Sequence, residues 1–158
     1  MRKTFFRVLG LVLCAALLTG CNKKPDNTEE LKKYKQEMTE FFTSLEKINT
    51  NINNINPEDQ ESMDNLYTQF AALDKAYKEL ADIEVPEDFI NNETLADQAS
   101  EYMTQANEYL RQAFTETSYN QTVLDAAMEC YKRANKRLQY IITILHGELP
   151  QGEDVQYN

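Results

Sequence analysis

The chain has 158 residues, of which 16 are lysine or arginine and 26 are aspartate or glutamate, so its formal net charge is −10 at pH 7. This excess of acidic residues argues against nucleic acid as a partner, because proteins that bind phosphate backbones need a basic face. With only four glycines and four prolines, the chain is expected to form few and long elements within one domain.

The first 20 residues have the three-part pattern of a secretory signal peptide. Three basic side chains near the amino terminus are followed by an apolar run from residue 8 to residue 18, and then by small residues. The run is too short to span a bilayer, so the sequence predicts a leader, residues 1–20, that is cleaved from the mature protein. Its loss removes three basic and no acidic residues, which leaves 13 basic against 26 acidic side chains and a net charge of −13.

The residues Leu18, Thr19, Gly20 and Cys21 resemble the lipobox of bacterial lipoproteins. The resemblance implies that a signal peptidase recognises the first three residues and cleaves before Cys21, whose thiol carries diacylglycerol. We therefore expect a lipid anchor, such as one containing palmitate, that holds the protein on the membrane and facing outside the cytoplasm, at the cell surface or in the periplasm. Residues 21–28 would form the tether, and the rest of the chain is similar in style to small, uncharacterised helical lipoproteins.

The cysteines predict a fold without disulfide bonds. Cys14 lies in the predicted leader, and lipidation would consume the thiol of Cys21, so Cys130 has no partner. Stability must then come from packing. Because no histidine or second cysteine lies beside Cys130, we interpret it as a small buried or half-buried apolar side chain rather than a reactive thiol.

The first predicted helix begins near a capping pair formed by Asn27 and Glu30 and ends at the asparagines before Pro57. Its apolar residues alternate spacings of three and four, which is typical of a helix that packs through a narrow stripe. The stripe consists of Leu31, Tyr34, Met38, Phe41, Leu45, Ile48, Ile52 and Ile55. Such a stripe can pack within its own bundle or pair with another chain, so both a monomer and a homodimer remain open.

The second helix is predicted to start with Asn56 as its N-cap and Pro57 at its first position, and to stop before Pro86. Its apolar stripe is Met63, Leu66, Phe70, Leu73, Tyr77 and Leu80. Acidic residues follow Pro86 as they follow Pro57, so a third helix is expected after a few residues, and an interruption near Asn91 and Asn92 is left open.

The third and fourth helices are predicted to combine alanine with larger side chains, which suits close interdigitation. The third stripe is Leu95, Ala99, Tyr102, Ala106, Tyr109 and Ala113, and the fourth is Leu124, Ala127, Tyr131, Ala134, Leu138, Ile141 and Leu145. A turn over residues 115–120 separates them, His146 and Gly147 mark the last helix end, and residues 148–158 are expected to be mobile.

These elements predict an all-α fold, an antiparallel up-down-up-down four-helix bundle over residues 29–147. The short connections force neighbouring helices to run in opposite directions. Asn107 and Asn135 are expected to flank the core, where a polar group can fix helix register. Tyr34, Tyr77, Tyr102 and Tyr131 are expected at the core margin. The other candidates, Tyr67, Tyr109 and Tyr140, could instead line an exposed groove for a small amphiphile or a partner helix.

The sequence lacks the motifs of familiar enzymes and of a di-iron bundle, and it contains one histidine. We therefore predict a non-enzymatic protein without cofactor, metal or nucleic acid, with a binding or scaffolding role toward an envelope protein. The alternative is a small-molecule or haem carrier, for which Met38 and His146 are the candidate ligands.

Overall fold

The computed structural model describes residues 29–115 and 118–150. Over these ranges the chain is helical and forms no strand, which confirms the predicted all-α class. It folds as a four-helix bundle of α1 (Glu29–Asn53), α2 (Ser62–Ala81), α3 (Asn91–Ala113) and α4 (Gln121–Leu145). A short 3-10 helix (Glu87–Phe89) precedes α3. The predicted leader, lipobox, capping residue Asn27 and tether lie outside the described residues, as do residues 151–158.

One apolar core joins the four helices. The predicted stripe of α1 is buried from Leu31 to Ile52, and Ile55 packs against the core from the segment that follows. The four largest fully buried side chains are those of Tyr34, Tyr77, Phe70 and Met38. Burying a large apolar side chain stabilises a fold by about 1.5–3 kcal/mol, so burial of these stripes supplies most of the favourable free energy of folding.

The helices α3 and α4 make the most extensive close approach of backbones in the bundle. Both helices carry alanines that leave room for it: Ala99, Ala106, Ala113 and Ala134 are fully buried, and Ala127 nearly so. Because alanine carries only a methyl group, two helices lined by it can pack at short range. The predicted small residues are therefore buried on both helices, whereas the predicted large residues Tyr102 and Tyr109 of α3 are half-buried.

The start of α2 differs from its prediction. The helix begins at Ser62 rather than Pro57, and turns occupy residues 57–61. The Asn56 side chain is engaged locally: its Oδ1 accepts from the Glu58 backbone N–H at 3.2 Å, and its Nδ2 donates to Asp59 Oδ1 at 2.8 Å. Asparagine side chains that bond nearby groups in this way compete with the helix.

The segment before α3 also departs from the expected pattern. The 3-10 helix follows Pro86, and α3 then runs without interruption from Asn91. Asn92 is only 1% exposed, and its Nδ2 donates to the Tyr34 hydroxyl at 3.0 Å. Phe89 stacks on the same Tyr34 ring, with centroids 5.7 Å apart. A tertiary contact therefore keeps an asparagine within the first turn of this helix.

Local signals bound α4 at both ends. The Asn120 side chain accepts a hydrogen bond from the Val123 backbone N–H at 3.2 Å, and an isolated bridge between Phe114 and Tyr119 shapes the turn before it. After Leu145, Gly147 adopts a φ of 78°, a left-handed conformation that closes the helix. The chain continues to Pro150, which is buried. None of the described helices is long and apolar enough to cross a membrane.

Candidate functional site

A cluster of basic residues lies near the middle of α4. Lys132 and Arg133 are followed four positions later by Lys136 and Arg137, so one face of the helix carries all four. No acidic residue occurs between Glu129 and Glu148. A chain with a net charge of −10 therefore concentrates positive charge on this part of its surface.

These side chains line an open groove with a volume of about 370 Å³, here called the basic groove. Its lining residues are Tyr102 of α3 and Glu129, Lys132, Arg133, Lys136 and Arg137 of α4. The volume lies near the lower end of the range for small-molecule sites. The groove therefore has room for a compact polar ligand, and its lining consists of four cations, one carboxylate and one tyrosine.

Arg137 is the most constrained member of the basic groove. It is 7% exposed, and its Nε donates to Gln98 Oε1 at 2.6 Å. Its guanidinium carbon lies 5.7 Å from the Tyr102 ring centroid and 5.9 Å from that of Tyr140. These neighbours are neutral, and no carboxylate pairs with Arg137 in the described part of the chain. The described chain therefore offers this guanidinium an amide and two aromatic faces, but no anion.

Arg133 approaches the same aromatic ring from solvent. Its guanidinium carbon lies 5.8 Å from the Tyr102 centroid, and its Nε contacts Glu129 Oε1 at 3.1 Å. The hydrogen bonds to Glu129 and then to Tyr102 raise the pKa of Arg133. Two guanidinium groups thus share one tyrosine ring, which orients them without removing their charge.

Tyr140 lies beside this cluster. Lys136 Nζ is 5.7 Å from its ring centroid, and the ring is buried. The Tyr140 hydroxyl is buried too, and it has no hydrogen-bond partner among the described residues. A buried hydroxyl normally finds a partner, so this region contains an unsatisfied polar group close to the cations.

The two residues predicted to hold a haem or a small molecule occupy different environments. Met38 is buried in the apolar core along α1, whereas His146 is half-buried and caps the carboxyl end of α4. The His146 Nε2 is buried without a hydrogen-bond partner in the described ranges. No described hydrogen bond joins the two residues, so the haem or small-molecule site stays a prediction.

Burial raises the pKa of several tyrosine hydroxyls and of the free thiol. Tyr34, Tyr77 and Tyr131 are buried, and desolvation raises the pKa of each hydroxyl. Tyr140 is also buried, while Tyr67 and Tyr109 are half-buried against the core. Cys130 is half-buried, as expected, and burial raises the pKa of its thiol, which disfavours the reactive thiolate.

The basic groove is the feature that sequence reasoning missed. The signal was present in the repeated pair of cations, Lys132-Arg133 and Lys136-Arg137, and in the acid-free stretch that contains them. The overall acidity of the chain concealed it. The burial of Arg137 against Gln98 could not be read from the sequence, because that contact joins residues of different helices.

No protein-family model matches this chain, and neither a curated protein nor a solved structure is detectably similar to it. Within residues 29–115 and 118–150, no group of three or more histidine, cysteine, aspartate or glutamate side chains is placed to hold a metal ion.

Proposed function

We propose that the protein is a lipid-anchored lipoprotein of the bacterial cell envelope whose helical domain has a non-enzymatic binding or scaffolding role. The observation that carries this proposal is the order of the amino-terminal residues: a basic start, a short apolar run, and Leu18-Thr19-Gly20-Cys21. The acidic domain would be held off anionic lipid by charge repulsion, close to the membrane but not lying on it.

We further propose that the helices run alternately up and down. On α1 and α2, Phe41 packs on Tyr77 and Asn51 bonds to Gln69, so residue numbers rise on one helix as they fall on the other. The same trend supports the other two neighbouring pairs: Asp74 with Thr104, Tyr67 with Phe114, Gln98 with Arg137, and Gln105 with Cys130.

This topology would separate the basic groove from the anchored end of the molecule. The start of α1, which follows the tether, would lie beside the end of α4. Arg133 lies twelve residues from each end of α4, about 18 Å along the axis at 1.5 Å per residue. The basic groove would then face the space beside the bundle. Confinement to the membrane raises the effective concentration of a partner there, so a weak site suffices.

Metabolic labelling with radioactive palmitate tests the anchor. The full-length chain is expected to incorporate label and to fractionate with membranes, and Cys21→Ala is expected to incorporate none. Cys14→Ala and Cys130→Ala are matched controls that should label like the wild type, because neither thiol would carry lipid. A wild-type protein without label, or a Cys21→Ala protein that labels normally, would refute the proposal.

A further inference from the structure

We propose that the basic groove binds a phosphate group. This inference rests on the proposed binding role of the helical domain, and it names the class of ligand; it does not depend on lipidation of Cys21. The ligand would be a phosphate ester whose charged end enters between the side chains of Lys132, Arg133 and Arg137.

Arg137 has no anionic partner in the described part of the chain. Nine-tenths of this residue is buried, it lines the basic groove, and the described chain offers its charge only the Gln98 amide and two tyrosine rings. The hydrogen bond to Gln98 uses Nε alone, so the N–H groups of the two terminal nitrogens remain without a described acceptor. A buried charge is stable when it is paired and fully hydrogen-bonded, and an anion in the basic groove would complete both conditions.

Cations outnumber carboxylates in the basic groove. Without counting Lys136, the three cations Lys132, Arg133 and Arg137 line it against one carboxylate, Glu129. A carboxylate ligand carries one negative charge and two oxygens, whereas a phosphate monoester carries close to two negative charges and three free oxygens. The planar guanidinium group of arginine also matches the geometry of phosphate oxygens and can bind them through two hydrogen bonds at once. The excess of cations therefore favours phosphate.

The two arginines of the basic groove are preorganised by their neighbours. Tyr102 holds Arg133 and Arg137 against a single ring, at 5.8 and 5.7 Å from its centroid, and Gln98 fixes the second of them further. Side chains already held in place lose less conformational freedom when a ligand binds. Contacts with Tyr102 and Gln98 distinguish these arginines from exposed cations such as Lys75 and Lys78, whose described ion pairs are with acids of their own helix.

Phosphate of this kind has two sources outside the cytoplasm, a soluble phosphate ester or the headgroup of a phospholipid. Calorimetric titration of the full-length protein in phosphatidylcholine nanodiscs, at constant ionic strength, addresses both. Inorganic phosphate is the probe for the soluble source, and dibutyryl phosphatidic acid, a water-soluble phospholipid whose headgroup is a phosphate monoester, is the probe for the lipid source. Saturable binding of either probe supports the proposal, and the tighter one identifies the source.

Variants assign the binding to the basic groove. Arg137→Met is expected to weaken binding about tenfold or more, since it removes the guanidinium but keeps an apolar stem. The double variant Lys132→Gln and Arg133→Gln should also weaken binding about tenfold or more. Because both residues are exposed, this variant is expected to fold, and it tests the proposal if Arg137→Met does not fold. The double variant Lys75→Gln and Lys78→Gln has the same net charge and should stay within about twofold of the wild type.

Three results would overturn the proposal. They are the absence of saturable binding with both probes, equal weakening by the two double variants, and binding of a Glu-Asp peptide by a protein that binds neither phosphate probe. The same titration of Cys21→Ala separates this inference from the anchor. A wild-type protein that binds phosphate but incorporates no palmitate would refute only the lipoprotein proposal, whereas a labelled wild-type protein that does not bind phosphate would refute only the inference.

Discussion

Tyrosine hydroxyls buried in the core meet asparagines from other helices. Tyr34 of α1 accepts from Asn92 of α3 at 3.0 Å, and Tyr77 of α2 donates to Asn135 of α4 at 3.1 Å. Asn135 in turn donates to the Tyr131 carbonyl at 2.9 Å. A buried polar pair is satisfied in one arrangement of helices and unsatisfied in others, so these bonds favour one register of the bundle.

Replacement of Asn135 by alanine is expected to lower the free energy of unfolding by about 1–3 kcal/mol, because the fully buried Tyr77 hydroxyl loses its acceptor. Urea denaturation followed by circular dichroism measures the loss. The control is the same substitution in a Tyr77→Phe background, where no hydroxyl is left without a partner and the cost should be smaller. Equal costs in the two backgrounds would show that the bond contributes nothing specific.

The buried tyrosines also predict how stability depends on alkaline pH. Burial raises the pKa of Tyr34, Tyr77 and Tyr131 above the ordinary value of 10.0, so the folded state holds these protons more tightly than the unfolded state does. Their contribution is complete below the unfolded pKa and is lost as pH rises from about 10 toward the folded values. The loss is about 1.4 kcal/mol per pH unit for each tyrosine ionised only in the unfolded chain.

Urea midpoints at a series of pH values up to 11, with tyrosinate absorbance recorded in parallel, measure this dependence. Tyr77→Phe should show a shallower loss of stability above pH 10, since it removes one of the raised groups. Constant stability across that range, or ionisation of every tyrosine near pH 10 in the folded protein, would contradict the prediction.

At the scale of elements, helix stripes could be predicted from the sequence and one helix start could not. The stripes depend on a periodicity that each helix carries by itself, and most of their predicted members are buried; the half-buried members are Ile55, Met63, Tyr102 and Tyr109. The start of α2 depended on a competition between Pro57 at a helix start and the side-chain bonds of Asn56, and the bonds prevailed. The basic groove required knowledge of which α3 residues face Arg137, and the sequence does not contain that information locally.

The N-cap of α4 offers a test of a local signal. Asn120→Ala removes the acceptor of the Val123 backbone N–H and is expected to lower the free energy of unfolding by about 0.5–2 kcal/mol. Asn120→Ser keeps a capping oxygen and should retain most of that stability. Thermal and urea denaturation of the two variants supply the comparison. If serine is as harmful as alanine, the bond to Val123 is not the source of the effect.

At the scale of the whole molecule, the core and the surface charges have different roles. The ion pairs within one helix, Lys75 with Glu79 and Arg133 with Glu129, are largely exposed, and such pairs contribute little to stability. The free energy of folding therefore depends on the shared apolar core. The surface charge instead controls which molecules approach, because a strongly acidic surface repels anions everywhere except where cations are concentrated.

The distribution of apolar residues between core and surface also bears on whether the protein is a monomer or a homodimer. The narrow stripe of α1 would suit pairing between chains if it faced solvent, but it is buried against the other helices of its own bundle. Among the described residues, the large apolar side chains left exposed are Ile90, Tyr119 and Leu149. Stable dimers bury a continuous interface formed by many residues of each partner, and three exposed apolar side chains are too few to supply one.

We therefore expect residues 22–158 to sediment as a monomer at micromolar concentrations, at both low and moderate salt. Repulsion between chains of net charge −13 opposes association most strongly at low salt, so any weak self-association should appear first when salt is added. A dimer at low salt would contradict this expectation, because it would require an interface strong enough to overcome that repulsion. Ile90→Ser would then distinguish a dimer held through this exposed residue from one held through a different surface.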